Sequence, residues 1–307
     1  VVTAPPGDGD AGGDAVVMGA GGAAGWAFHA GVVAGLAQLG RPLQQADVVV
    51  GTSAGAPVAA AVLAGASPEQ VTETLLRPPT PAEVERYRAT LADARSSWRR
   101  RLRPAAPHLA VEALPNRAGV GVALAGLVPS GLFPTTPLRR APGVEDLGTD
   151  WPAGLWIPAV RLSDGQRVTF GRDRVEVAVA DAVEASQAVP IMFMPRRIDD
   201  DRYVDGATRS PTNADVLVGA GRPVRGIGHV LLVAPMSRHP TWIMRTFANR
   251  RLRQELAMLV DAGLRVTVVV PDDEVAAHLD GFPRRDPAAI PEVVAGGRRA
   301  VIEALDP

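Results

Sequence analysis

The sequence predicts an α/β fold: a mainly parallel sheet with helices on both faces and one helical insertion. Three observations carry this prediction. Apolar runs of strand length alternate with helix-length segments across residues 15–76. Each strand-to-helix junction there is a turn of small residues. Strand signals then vanish over residues 82–128 and return from residue 155. Strand–helix–strand–helix in so short a span implies parallel strands joined by right-handed crossovers.

Residues 1–14, "VVTAPPGDGDAGGD", read as a disordered leader rich in Gly, Pro and Asp. They have no basic n-region and no apolar h-region, so no signal peptide is expected. The remainder, 15–307, reads as one domain. "AVVMG" (15–19) is a short buried strand. Residues 22–39 form a helix carrying Trp26, Val33 and Leu36, stopped by "LGRP" at Gly40 and Pro42. Residues 15–40 carry no formal charge, which is long enough to raise a membrane span. Seven glycines in that stretch, four of them within 19–25, favour a buried strand–loop–helix instead. "DVVVG" (47–51) is the second strand and "AGAPVAAAVLAG" (54–65) the second helix. "SPEQVTETLL" (67–76) opens a third helix with a Ser cap and Pro at its first position.

The character changes after "RPPTP" (77–81). A helical cap or insertion is expected over about 80–150, containing the basic run "RSSWRRRLR" (95–103). Strands return as "LWIPAV" (155–160) and "RVTFG" (167–171), flanking the turn "SDGQ". "RYVDG" (202–206), "HVLLVAP" (229–235) and "LRVTVVVP" (264–271) follow. The helix "ANRRLRQELAMLVDAG" (248–263) precedes the last of these and stops at Gly263.

Composition excludes some functions. Apolar residues are 47%, enough for a sizeable core, and net charge is −1 without an acidic or basic tail. A dedicated nucleic-acid binder would show a basic face. There is no cysteine, so disulfides and thiolate metal sites are excluded. All 32 basic residues are arginine, which reads as the coding bias of a GC-rich genome.

"GAGGAAG" (19–25) admits two readings. Gly19-x-Gly21-x-x-Ala24 fits the dinucleotide fingerprint, in which glycines let the backbone approach a pyrophosphate. In another register the bare amides could hold an oxyanion. The dinucleotide reading needs an acid about 20 residues on, at the end of the second strand. "AQLGRPLQQA" (37–46) contains none, and Asp47 precedes that strand. The strand ends instead in "GTSAG" (51–55), G-x-S-x-G between a strand and a helix, the context of a nucleophile elbow. Small neighbours at Gly51 and Gly55 allow the sharp turn that projects Ser53. The amide dipoles of the helix beginning near Ala54 favour negative charge there.

A serine hydroxyl needs a base. Of the five histidines, His108, His229, His239 and His278 stand in unpromising contexts, and His29 reads as a helix-face residue. Asp205, ending a strand in "YVDGATRSPTNAD" (203–215), could accept the proton directly. Its other reading is a plain Asp-Gly turn.

These pieces in this order resemble the patatin-like phospholipase family, across roughly residues 15–270. "GAGGAAG", "GTSAG" and "DGA" (205–207) carry the resemblance. It is supported by "GWAFHAGVVAGL" (25–36), "ASQAVPIMF" (185–193) and "RSPTNAD" (209–215). "LVPSGLF" (127–133), followed by "PLR", is similar to the actinobacterial branch. The resemblance implies a three-layer α/β/α architecture and a serine lipid acyl hydrolase of phospholipase A, lysophospholipase or esterase type. It implies Ser53 as nucleophile, Asp205 as its base, and amides of Gly21, Gly22 and Ala23 as the oxyanion hole. Gly51, Thr52, Ala54 and Gly55 form the elbow, and Gly206 and Ala207 complete the D-G-A motif. Neither cofactor nor metal is implied. The chain departs from the family loop G-G-G-x-R/K-G at Ala20, which must take a negative φ, and at Ala24, which replaces a basic residue.

Two other classes remain: a dinucleotide-dependent oxidoreductase resting on Gly19, Gly21 and Ala24, and a catalytically silent lipid-binding protein of the same shape. The expected partner is a lipid or other acyl ester, with no nucleic acid, and the expected location is cytoplasmic. Arg95, Trp98, Arg99, Arg100, Arg101 and Arg103 read either as a peripheral membrane contact or as a solvated helix face. Val120, Val122, Leu124, Leu127, Leu132 and Phe133 read either as an acyl groove or as core.

Overall fold

The computed structural model describes residues 12–96, 104–109, 120–131, 133–237, 243–279 and 287–306. Among them, eight strands form one sheet and two more a small hairpin. The sheet strands are β1 (Gly13–Met18), β2 (Val48–Gly51), β3 (Leu155–Arg161), β4 (Arg167–Phe170), β5 (Arg196–Ile198), β6 (Asp201–Asp205), β9 (Ile227–Val233) and β10 (Arg265–Val269). The hairpin pairs β7 (Val218–Gly219) with β8 (Arg222–Pro223).

The sheet order is β10-β9-β1-β2-β3-β6-β5, with β4 paired to β3 off this path. The first five of these strands are mutually parallel. The other half is antiparallel: β4 and β6 run against β3, and β5 against β6. β1 begins at Gly13, inside the stretch expected to be leader, because the Asp14 amide donates to the Asp47 carboxylate at 2.9 Å. Asp47 therefore secures the start of β1, at the end of the sheet opposite the glycine loop.

Strand alternation builds three layers. Val16, Met18 and Val49 face one core, and Ala15, Val17, Val48 and Val50 face the other. Burial on both faces explains why β1 and β2 read as continuous apolar runs. The first face is covered by α1 (Gly22–Gln38), α2 (Gly55–Leu63), α6 (Val179–Gln187) and α9 (Ile290–Leu305). The second is covered by α7 (Ile243–Asp261), through Leu252 and Leu259.

α1 is buried nearly all round, from Gly25 through Leu36, which accounts for its lack of charge. Among the described residues no helix is long and apolar enough to cross a membrane. α1 and α9 meet at backbone-to-backbone distance. A Cβ at Gly31 would lie 1.9 Å from the Val294 carbonyl oxygen, and one at Gly297 2.2 Å from that of Phe28. The paired glycines of α9, poor helix formers, hide it from sequence patterning.

α3 (Pro68–Leu76) starts with a complete capping box between Ser67 and Gln70. α4 (Pro81–Ser96) is capped in the same way. The Glu83 amide donates to Thr80 Oγ1, and the Thr80 amide donates to the Glu83 carboxylate. The insertion also contributes α5 (Val120–Leu127), which packs Val122 and Ala123 with Leu109 on Val160 and Val204 of the sheet. α8 (Asp273–Leu279) completes the helices among the described residues. Trp98 and Arg99, Arg100, Arg101 and Arg103 lie outside those residues, as does the side chain of Arg95.

The α1–α9 contact gives a prediction. Gly297→Ala should cost about 2 kcal/mol or more through overpacking and lower the melting temperature by several degrees. Gly219→Ala is the control, since its Cβ would find its nearest neighbour at an ordinary 3.5 Å. Equal melting temperatures for the two variants would contradict the close helix contact.

Candidate active site

The turn from β2 into α2 is sharp and sterically tight. Ser53 takes a left-handed conformation, φ 53°, which costs a non-glycine residue on the order of 1 kcal/mol. Its neighbours must be glycine for steric reasons. A Cβ at Gly51 would lie 2.7 Å from Ala56 Cα, and one at Gly55 2.0 Å from the Met18 carbonyl oxygen. The Thr52 amide donates to that same carbonyl at 2.9 Å, fixing the turn against the end of β1. The Ser53 amide donates to Ser186 Oγ at 3.0 Å, and the Ser186 hydroxyl donates onward to the Pro158 carbonyl at 2.7 Å.

The end of β6 brings Asp205 to this turn. Ser53 Oγ donates to Asp205 Oδ2 at 2.7 Å, across 152 residues of sequence. The Ala207 amide donates to the other carboxylate oxygen at 2.7 Å. Both side chains are buried, with Asp205 only 1% exposed. Burial pushes the Asp205 carboxyl up to about 7, against the pull of the Ser53 and Ala207 hydrogen bonds.

Asn213 ties the two segments together. Its Nδ2 donates to Thr52 Oγ1 and to the Gly206 carbonyl, both at 3.2 Å, and to the Ser210 carbonyl at 2.6 Å. It therefore touches the residue before Ser53 and the residue after Asp205. Behind it, the buried Glu255 of α7 accepts from the Thr212 hydroxyl and from the Ala214 amide.

The glycine loop lies beside Ser53 at the ends of β1 and β9. The Gly19 amide donates to the Val233 carbonyl and the Ala20 amide to the Pro211 carbonyl. Ala20 stays outside the left-handed region, as its side chain requires, while Gly22 enters it at φ 60°. The amides of Gly21, Gly22, Ala23 and Ala24, at the start of α1, have no acceptor among the described residues. The same holds for the Ala54 amide at the start of α2. These residues and Ser53 line a cleft of about 270 Å³, together with Trp26, Leu75, Arg140, Gln187, Met192 and His278.

The four described histidines are each engaged with groups other than Ser53 and Asp205. His29 is fully buried, which holds its ring neutral, down to about 4. Its Nε2 donates to the Gly19 carbonyl at 2.6 Å, bracing the loop. His108 contacts the Ser163 carbonyl, and His229 contacts Asp14 and Thr267 at the far end of the sheet. His278 lines the cleft at a half-exposed position, with its Nε2 3.2 Å from Glu292. His239 lies outside the described residues.

A sequence model of the family described as patatin-like phospholipase matches residues 16–218, more than half of the chain. The chain belongs to the patatin-like phospholipase family. Solved structures resemble it more loosely. VipD from Legionella pneumophila is 14% identical at a TM-score of 0.46, with 96% of this chain and 67% of that one covered. The type III effector ExoU is 18% identical at 0.42, with 96% and 52% covered. Full-length ExoU in complex with SpcU, from the Pseudomonas aeruginosa type III secretion system, is 18% identical at 0.34, with 96% and 53% covered. The chain thus spans about half the length of ExoU. The mixed sheet flanked by helices described above is the patatin fold.

Of the apolar insertion residues in this patatin-like chain, Phe133 lines a second, larger cavity. Val122 is core, while Leu124 and Leu127 are exposed. Leu132 and the side chain of Val120 lie outside the described residues. Ser186 falls within the quoted stretch "ASQAVPIMF", but its contact with the Ser53 amide, like the places of Arg140 and His278 at the cleft, has no signal in the sequence.

The buried carboxyl has a thermodynamic signature. Asp205 ionises near 3.8 when unfolded and near 7 in the fold. Stability therefore falls as pH rises through that window, and the full penalty is present above pH 7. Asp205→Asn keeps a donor and an acceptor but no charge. It should melt higher than the parent at pH 8, with the gap narrowing at pH 5. A gap that is absent, or no larger at pH 8 than at pH 5, would contradict the burial of an uncompensated carboxylate.

Proposed function

We propose that the protein is a serine lipid acyl hydrolase that cleaves carboxylic esters of phospholipase A, lysophospholipase or esterase type. The observation that carries this reading is the 2.7 Å hydrogen bond from Ser53 Oγ to the buried Asp205, on a strained turn beside unpaired amides. Membership of the patatin-like phospholipase family supports it.

In this reading Asp205 is the base. Its carboxyl, pushed up to about 7 by burial, is basic enough to accept a proton at neutral pH and is substantially ionised there. Ser53 Oγ gives its proton to Asp205 Oδ2 and attacks the ester carbonyl carbon. The carbonyl π pair moves to oxygen, and that oxyanion sits among the amides of Gly21, Gly22 and Ala23, with the Ala54 amide on its other side. One such preorganised donor contributes on the order of 3 kcal/mol to the transition state. Collapse of the intermediate expels the alcohol as Asp205 returns the proton to it, leaving Ser53 acylated. Water then repeats the sequence, giving its proton to Asp205 and releasing the fatty acid. His29 takes no part, since its one proton holds the glycine loop.

Ser53→Ala and Asp205→Asn should each lower kcat/KM on p-nitrophenyl butyrate by about a thousandfold or more. Both variants should fold, the second with the raised stability described above. Wild-type turnover by either one would exclude the dyad.

A further inference from the structure

The cleft at Ser53 does not stand alone. A larger cavity of about 740 Å³ adjoins it, and Pro137, Arg140 and Phe193 line both. A substrate whose ester sits at Ser53 and whose remainder fills the larger space would lie against this shared wall. The glycine-loop side of the cleft is uncharged, since residues 15–40 carry no formal charge. Arg140 is the one arginine among the described residues that line the cleft.

Its charge is only half compensated. Arg140 Nε lies 3.4 Å from Glu83 Oε1, and its Nη2 donates to the Arg77 carbonyl at 3.1 Å. Glu83 is already engaged by Arg77 through two hydrogen bonds, at 2.8 and 3.2 Å. Two guanidiniums thus share one carboxylate at the junction of the cavities. That carboxylate stays ionised: the Arg77 hydrogen bonds pull Glu83 down to about 2. The other arginine of the larger cavity, Arg196, is matched twice, by Asp181 at 2.8 Å and by the buried Glu184 at 3.2 Å. With Glu83, Glu145 and Glu184 also on its wall, the described lining of the larger cavity is acidic overall, whereas in the Ser53 cleft Arg140 is the one formally charged side chain among the described lining residues.

We propose that Arg140 is a specificity-determining residue, selecting acyl esters that carry a phosphate a few bonds from the scissile group. The phosphodiester of a glycerophospholipid has that placement, and a neutral acylglycerol lacks it. A planar guanidinium with donors to spare suits a phosphate oxygen pair. The inference rests on the ester-hydrolase reading of Ser53 for its meaning in turnover, but its test does not require turnover.

The test measures binding in the Ser53→Ala background. Calorimetry compares 1-lauroyl lysophosphatidylglycerol with 1-lauroyl monoacylglycerol, below their micelle-forming concentrations. Arg140→Gln should reduce the preference for the phosphate-bearing lipid about tenfold, the scale of one charge-assisted hydrogen bond. Arg140→Lys should retain part of it. Glu83→Gln, which removes the competing carboxylate, should raise the preference. A purely structural role for the Arg77–Glu83–Arg140 cluster predicts the same direction for Arg140→Gln and Glu83→Gln. An unchanged preference in Arg140→Gln, a shared direction, or binding of neither lipid would overturn the proposal. Inorganic phosphate titrated alone separates a headgroup from a free anion. The lysolipid is expected to bind more tightly, and the reverse order would also overturn it. If the parent enzyme hydrolyses neither lipid while these binding shifts appear, the hydrolase reading fails and the Arg140 assignment stands.

Discussion

A carboxylate buried without a cation is costly, and Asp205 is such a group. Two neutral donors, the Ser53 hydroxyl and the Ala207 amide, are what hold it. Neither offsets the loss of water, and its carboxyl stays well above the usual aspartate range. The surrounding structure keeps these partners together. Ser53 must take a left-handed backbone, so Gly51 and Gly55 cannot carry side chains, and the turn presses against the Met18 carbonyl. Asn213 bridges Thr52 and Gly206, so the elbow and the D-G-A turn move as one piece. Ser186 fixes the Ser53 amide to the Pro158 carbonyl of β3. Each of these contacts reaches across a different part of the chain, and all converge on one hydrogen bond.

Charge around the cleft is distributed unevenly. The side built from the glycine loop and α1, over which α9 closes at backbone distance behind the loop, carries no formal charge. It presents amide dipoles and no formal charge, which suits a transient oxyanion better than a permanently bound anion. The opposite side carries the Arg77–Glu83–Arg140 cluster, with Arg77 from the end of α3 and Glu83 and Arg140 from the insertion. In the proposed reading, chemistry and selectivity come from different segments of the fold.

Much of the fold was legible because its central strands and helices are locally consistent. β1, β2, α1 and α2 announce themselves through apolar runs and small-residue turns. The antiparallel half was less so: β5 is three residues long, and its register follows from pairing with β6. α9 was illegible because its paired glycines argue against a helix locally and are explained only by Phe28 and Val275 packed against them. The same division holds for the candidate site. Ser53 and Asp205 sit in short motifs and are brought together as those motifs suggest. Arg140 and His278 are long-range neighbours placed by tertiary packing, and Ser186, although inside the quoted "ASQAVPIMF", reaches the Ser53 amide across 133 residues. Asp47, the nearest acid to the place a ribose would need one, turned out to secure the opposite end of the sheet.

The most direct measurement of the central claim is the pH dependence of fluorophosphonate labelling, with the modified residue located by mass spectrometry. Activation by a buried carboxyl raised to about 7 predicts labelling at Ser53, with a rate that rises with pH to a plateau and a midpoint near 7. Labelling of another residue, or a Ser53 rate that is flat between pH 5 and 9, would contradict it.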